Sequence, residues 1–171
     1  MLRVALTGPE STGKTTLSRH LAEHYHTTWA PEYARKYLEE RGPHYTLDDL
    51  EAIAHGQLAT EEVAAAGASR ILFCDTDLLV IKVWAEHAFG HCPEWIKDEI
   101  QQRHYDLVLL LNVDLPWEAD PLREHPHLRH HFFAVYQQEL RQLHAHFAEV
   151  SGTPEQRLEQ ACRLVDELLK V

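Results

Sequence analysis

The segment Gly8-Pro9-Glu10-Ser11-Thr12-Gly13-Lys14-Thr15 constrains this chain more than any other feature. It fits the pattern GxxxxGK[ST] in full. Its setting fits as well, because it follows the apolar run Arg3-Val4-Ala5-Leu6-Thr7 and precedes a helix-like stretch. Glycines let such a loop curl its amide N–H groups around phosphate oxygens, and the helix N-terminus adds positive potential. The expected phosphate-binding set is Gly8, Glu10, Ser11, Thr12, Gly13, Lys14, Thr15 and Thr16. Lys14 should reach the β- and γ-phosphates of ATP, and the Thr15 hydroxyl should ligate Mg²⁺. The competing reading is a Gly-rich turn that carries Lys-Thr by chance. The strand–loop–helix context argues against it.

A phosphate loop needs a carboxylate for Mg²⁺ at the end of a neighbouring strand. Ile71-Leu72-Phe73-Cys74-Asp75 supplies one, and Asp77 follows two residues on. One carboxylate would serve the metal and the other an acceptor hydroxyl. The alternative is that either residue only caps the next helix.

Around these motifs, strand-length apolar runs alternate with helical patterns. Strands are expected at 2–6, 28–30, 71–74, 107–111 and 148–150. Helices are expected at 15–25, 32–41, 47–66, 78–88, 94–103, 132–146 and 155–169, with Thr46 capping the third. That alternation predicts an α/β fold: three layers, with a central parallel sheet of about five strands flanked by helices. The length of 171 residues fits one domain, 1–171. Residues 115–131, with three prolines and four histidines, differ in character and suggest a lid.

Composition removes several function classes. The net charge of -11 opposes general nucleic-acid binding, which relies on a basic face. No apolar stretch approaches the ~20 residues of a membrane span, and no leader pattern opens the chain. A cytoplasmic protein is expected. Cys74, Cys92 and Cys162 form no CxxC pair, so neither a disulfide framework nor a zinc knuckle is expected. The 14 histidines include His20 and His24 at helical spacing and a group at 125–131. Without an HExxH pattern or cysteine partners, they read as solvated surface groups.

Further along, Glu32 follows the second strand, at the end of the sheet where ligands bind in such folds. It competes with Asp77 for the role of base on the acceptor hydroxyl, and it could equally decorate a helix start. Arg35, one turn on, either binds phosphate or substrate, or pairs with Glu32. Gly152, in Ser151-Gly152-Thr153, is either an approach to the nucleotide base or an ordinary turn.

Several motifs in order sharpen the picture: GPESTGKT, then Glu32-Tyr33-Ala34-Arg35, then Asp75-Thr76-Asp77-Leu78 with Trp84. Asp114-Leu115-Pro116-Trp117 and Asp120-Pro121-Leu122-Arg123 follow. This set resembles the ribosylnicotinamide kinase domain of bacterial NadR proteins, from about Val4 to Arg157. The resemblance implies a nucleoside-kinase fold and a role in NAD salvage. It implies transfer of the ATP γ-phosphate to the 5′-hydroxyl of nicotinamide riboside, giving nicotinamide mononucleotide. Larger NadR proteins carry further domains before the kinase. With the loop beginning at residue 8, the chain is expected to lack them. It also has Pro121 where the family often has Gly.

In that light, Tyr33, Trp84 and Trp117 are candidates to stack on a cationic pyridinium ring, against core packing as the alternative. Arg123 and Arg129 are candidates for lid arginines over the transferring phosphoryl group, against isolated surface arginines. Two further readings stay open. One is a P-loop kinase for another nucleoside or small alcohol. The other is a regulator that senses ATP or NAD without turnover.

Overall fold

The computed structural model describes residues 1–171. Five strands form one parallel sheet in the order β2-β3-β1-β4-β5: β1 (Leu2–Thr7), β2 (Trp29–Ala30), β3 (Ile71–Asp75), β4 (Leu107–Leu111) and β5 (Phe147–Val150). Helices connect them: α1 (Lys14–His24), α2 (Tyr33–Arg41), α3 (Leu47–Gly67), α4 (Leu78–Phe89), α5 (Glu94–Gln102), α6 (Arg129–Gln142) and α7 (Pro154–Leu169). This is the three-layer α/β arrangement that the alternating pattern predicts.

Side chains alternate across each strand, and both faces are covered, so the strands read as continuous apolar runs. Val4, Leu6, Leu107, Leu109 and Leu111 pack with Leu17 and Leu21 of α1 and Ala161 and Val165 of α7. On the opposite face, Ala5, Val108 and Leu110 pack with Leu79 and Val83 of α4 and Tyr136 and Leu140 of α6. Each fully buried Leu or Val contributes about 1.5–3 kcal/mol by leaving water. A further cluster joins α2, α3, α4 and α5 through Leu38, Leu50, Ile53, Ile81 and Ile96. No helix is long and apolar enough to cross a membrane.

Local signals set several helix ends. Thr46 caps α3, and Thr46 and Asp49 form a reciprocal capping box. Thr153 and Gln156 do the same for α7, with Pro154 in its first turn. The largest boundary differences are at α6, which runs Arg129–Gln142 rather than 132–146. The end of the expected lid is therefore its first turn.

The register places the functional ends together. Leu6 of β1 sits opposite Asp75 of β3, and Thr7 opposite Leu110 of β4. The phosphate loop, the Asp75 turn and the loop after β4 therefore leave the sheet at one edge. That edge is the carboxyl end of the strands, where open α/β sheets place their ligands.

Candidate active site

The loop between β1 and α1 depends on two glycines. Gly8 has φ 144°, and a side chain there would meet the Leu111 carbonyl oxygen at 3.0 Å. Gly13, just before α1, has φ 86°, in the left-handed region that favours glycine. The Thr12 hydroxyl donates to the Pro9 carbonyl at 2.8 Å and braces the curl. Lys14 Nζ donates to the carbonyls of Gly8 and Pro9 at 3.0 and 2.8 Å. Its ammonium is thus held across the mouth of the loop.

Thr15 and Asp75 are brought together as expected, with the Thr15 hydroxyl donating to Asp75 Oδ2 at 2.6 Å. Asp75 is 1% exposed, and its other oxygen, Oδ1, has no hydrogen-bond partner. Burial pushes its carboxyl up to about 6, and the nearby Glu32 carboxylate adds to the shift. An oxygen acceptor left unpaired beside a threonine hydroxyl is a donor set suited to a hard cation such as Mg²⁺. Mg²⁺ commonly takes only one or two protein ligands and completes its shell with phosphate and water. No cluster of three or more His, Cys, Asp or Glu residues is placed to hold a metal ion by itself.

A cavity of ≈ 410 Å³ extends from the loop toward α2, α4 and the 115–131 segment. Gly8, Glu10, Ser11, Thr12, Gly13, Lys14, Thr15 and Thr16 all line it, as do Glu32, Arg35, Trp84 and Arg123. Glu32 stands at the start of α2, and its side chain caps nothing. Trp84 donates from Nε1 to the Tyr45 hydroxyl at 2.6 Å and meets that ring edge-on at 4.8 Å. Arg35 pairs with Asp120 of the 115–131 segment at 2.7 Å, and not with Glu32. Asp120 is held below the usual carboxylate range, by the Leu122 amide and then by Arg35.

Other sequence candidates lie elsewhere. Asp77 accepts from the Thr7 hydroxyl at 3.1 Å and from the Val80 amide at 3.4 Å as the cap of α4. It is 5% exposed and outside the cavity lining, and burial pushes its carboxyl up to about 6. Thr76 between the two aspartates has φ 75°, so the chain turns sharply and separates their directions. Tyr33 lies over Gly56 of α3, where even a Cβ would be 2.0 Å from the ring. Its role there is packing.

Trp117 and Arg129 also stay out of the lining. The Arg129 guanidinium sits 5.6 Å above the Trp117 ring and donates to the carbonyls of Ser11 and Leu115 at 3.2 and 2.9 Å. It ties the 115–131 segment to the loop rather than facing the cavity. Gly152 donates from its amide to Asp114 Oδ2 at 2.5 Å, and its neighbour Pro154 reaches the lining.

Residues 115–131 lie against the loop. The Glu118 amide donates to the Ser11 hydroxyl at 2.9 Å, and the Glu124 and His125 amides approach a Glu10 carboxylate oxygen at 3.3 Å. Arg123 bonds the Glu118 carbonyl at 2.5 Å while facing the cavity. Sequence reasoning missed the far wall, where His87 and His125 meet edge-on at 4.8 Å and His87 meets Phe132 at 5.0 Å. It also missed Arg157, which lines the cavity at 2% exposure.

The chain is similar to several known proteins. A family model described as an AAA domain matches residues 3–157. The trifunctional NAD biosynthesis/regulator protein NadR of Salmonella typhimurium is 34% identical over 126 residues, covering 70% of this chain and 30% of that protein. The chain therefore spans less than a third of the length of that relative. Among solved structures, NadR in complex with NR superposes with a TM-score of 0.79 at 25% identity, covering 99% of this chain and 52% of the other. NadR in complex with NAD and AMP-PNP gives 0.73 at 26% identity, covering 89% and 44%.

Proposed function

The chain belongs to the AAA-domain family of P-loop proteins, and from that premise we propose that it is an ATP-dependent nucleoside kinase. On this reading it phosphorylates the 5′-hydroxyl of nicotinamide riboside to give nicotinamide mononucleotide in NAD salvage. The observation that carries the proposal is one cavity with two kinds of lining. The phosphate loop lines part of it, and Glu32, Trp84, His87 and Phe132 line more of it. The likeness to NadR supports the choice of acceptor.

In this mechanism the loop amides and Lys14 hold the β- and γ-phosphates. Thr15 and Asp75 would hold Mg²⁺, which neutralises charge on those phosphates when bound. Glu32 accepts the proton of the acceptor hydroxyl. That oxygen then bonds to the γ-phosphorus as the bond to the β–γ bridging oxygen breaks, and ADP leaves. Arg123 faces the same space from the lid and offsets negative charge on the moving phosphoryl group. Trp84 offers its ring to a cationic base, and the acidic Glu32 suits the same charge. Residues 115–131 act as a lid that excludes water, which limits hydrolysis of ATP.

The test is incubation with Mg-ATP and a panel of nucleosides that includes nicotinamide riboside, with products followed by mass. Nicotinamide mononucleotide as the dominant product is the expected outcome. Transfer to a different nucleoside would overturn the substrate and leave the phosphoryl chemistry standing. Tight ATP binding without transfer to any acceptor would overturn the kinase reading in favour of a nucleotide sensor.

A further inference from the structure

Arg157, on the first turns of α7, is the largest of the fully buried side chains. An arginine that deep must satisfy its donors inside the protein, and this one does so on three separate segments. Its Nη1 donates to the Thr12 carbonyl of the phosphate loop at 2.5 Å. Its Nη2 donates to the Asn112 carbonyl after β4 at 2.9 Å, and also pairs with Asp114. Its Nε donates to the Gly152 carbonyl after β5 at 2.9 Å. Asp114 in turn accepts from the Gly152 amide. One guanidinium thus ties together the loops leaving β1, β4 and β5.

We propose that Arg157 is a positioning residue for nucleotide binding, which sets the phosphate loop by holding the Thr12 carbonyl and so aims the Gly13 amide into the cavity. The peptide unit carries the argument. In a planar trans peptide, the C=O of one residue and the N–H of the next point in opposite directions. With the Thr12 oxygen turned to Arg157, the Gly13 N–H faces the other way. Gly13 has the left-handed φ of 86°, which leaves that plane free of steric restraint from a Cβ. Without a fixed partner for the Thr12 carbonyl, the Thr12–Gly13 peptide can rotate and withdraw a phosphate donor. The planar fork is what lets one side chain satisfy three carbonyls, and a lysine ammonium cannot span them.

The inference rests on the loop being a nucleotide site and not on the identity of the acceptor, so its test uses no acceptor. The dissociation constants of ATP and of inorganic tripolyphosphate would be measured by calorimetry for the wild type and for Arg157→Lys. The charge-balanced pair Arg157→Met with Asp114→Asn would be measured beside them, and the fold checked by circular dichroism. Folded Arg157→Lys should bind both probes about tenfold more weakly, the size expected for losing charge-assisted hydrogen bonds. The charge-balanced pair, where it folds, should weaken both further. An unchanged tripolyphosphate affinity in folded Arg157→Lys would overturn the proposal, and a loss confined to ATP would do so too, by placing the effect at the Gly152 loop. Where nicotinamide riboside is phosphorylated, its KM should stay at the wild-type value in Arg157→Lys while the KM for ATP rises. A parallel rise in both would indicate a general structural defect and would also overturn it.

Discussion

The two ends of the cavity are built from different materials. At the nucleotide end, backbone does most of the work. The loop lies between β1 and α1, its shape is imposed by Gly8 and Gly13, and its partners are strand ends held in register. At the proposed acceptor end, side chains from α2, α4 and the 115–131 segment converge through single contacts such as Arg35–Asp120 and Trp84–Tyr45. A backbone cradle is indifferent to most side-chain changes and serves many P-loop proteins. A side-chain wall can be rewritten one residue at a time, so specificity belongs there. Substitutions at the first end should therefore abolish transfer with any acceptor, while those at the second should separate substrates and chemical roles.

The largest effect should come from Lys14. Its ammonium hydrogen-bonds only to loop carbonyls, although its charge also stabilises the buried Asp75 carboxylate. Lys14→Ala should keep its fold by circular dichroism and lose kcat/KM by about 10³-fold or more, for every acceptor. Near-wild-type turnover would break the assignment of this end as the phosphate site. Glu32→Gln should come next. It keeps the shape of the side chain but cannot take a proton, so kcat should fall by about 10²–10⁴. The affinity for ATP should hardly change. A raised KM for ATP with normal kcat would move Glu32 from the acceptor end to the nucleotide end.

The same contrast explains what could be read from sequence. The nucleotide end was legible because its elements are local. Eight contiguous residues carry the loop, and the apolar runs at 2–6, 71–74 and 107–111 name its three strands. The pairing of Thr15 with Asp75 followed from the end of one strand meeting the start of a helix. The acceptor end was legible only in part. Glu32, Arg35, Trp84 and Arg123 reach the cavity, whereas Tyr33 packs on Gly56 and Trp117 lies under Arg129. Arg129, read as an arginine over the phosphoryl group, instead fastens residues 115–131 to the loop. Tyr33 had a signal in Gly56, a helix-interior glycine that makes room for a ring. Arg157 had none. On the amphipathic α7 it reads as one more solvent-facing cation, and all its carbonyl partners except Gly152 lie at least 45 residues away. Burial of a charge by long-range contacts leaves no local pattern.

The smallest effect should be at Asp77, and it is the sharpest test of the comparison. Asp75 and Asp77 are nearly adjacent in sequence, yet the left-handed turn at Thr76 sends them to different tasks. Asp75 holds the Thr15 hydroxyl and keeps one oxygen free. Asp77 uses Oδ1 to accept from Thr7 and from the first turn of α4, where an asparagine oxygen can accept equally well. Asp77→Asn should therefore keep kcat and both KM values within about twofold, because nothing it does requires a charge. Measured beside Glu32→Gln, it decides between the two candidate bases. A collapse of kcat in folded Asp77→Asn with activity intact in Glu32→Gln would reverse the assignment. It would mean that the α4 cap opens during turnover and that the acceptor binds on the far side of Thr7.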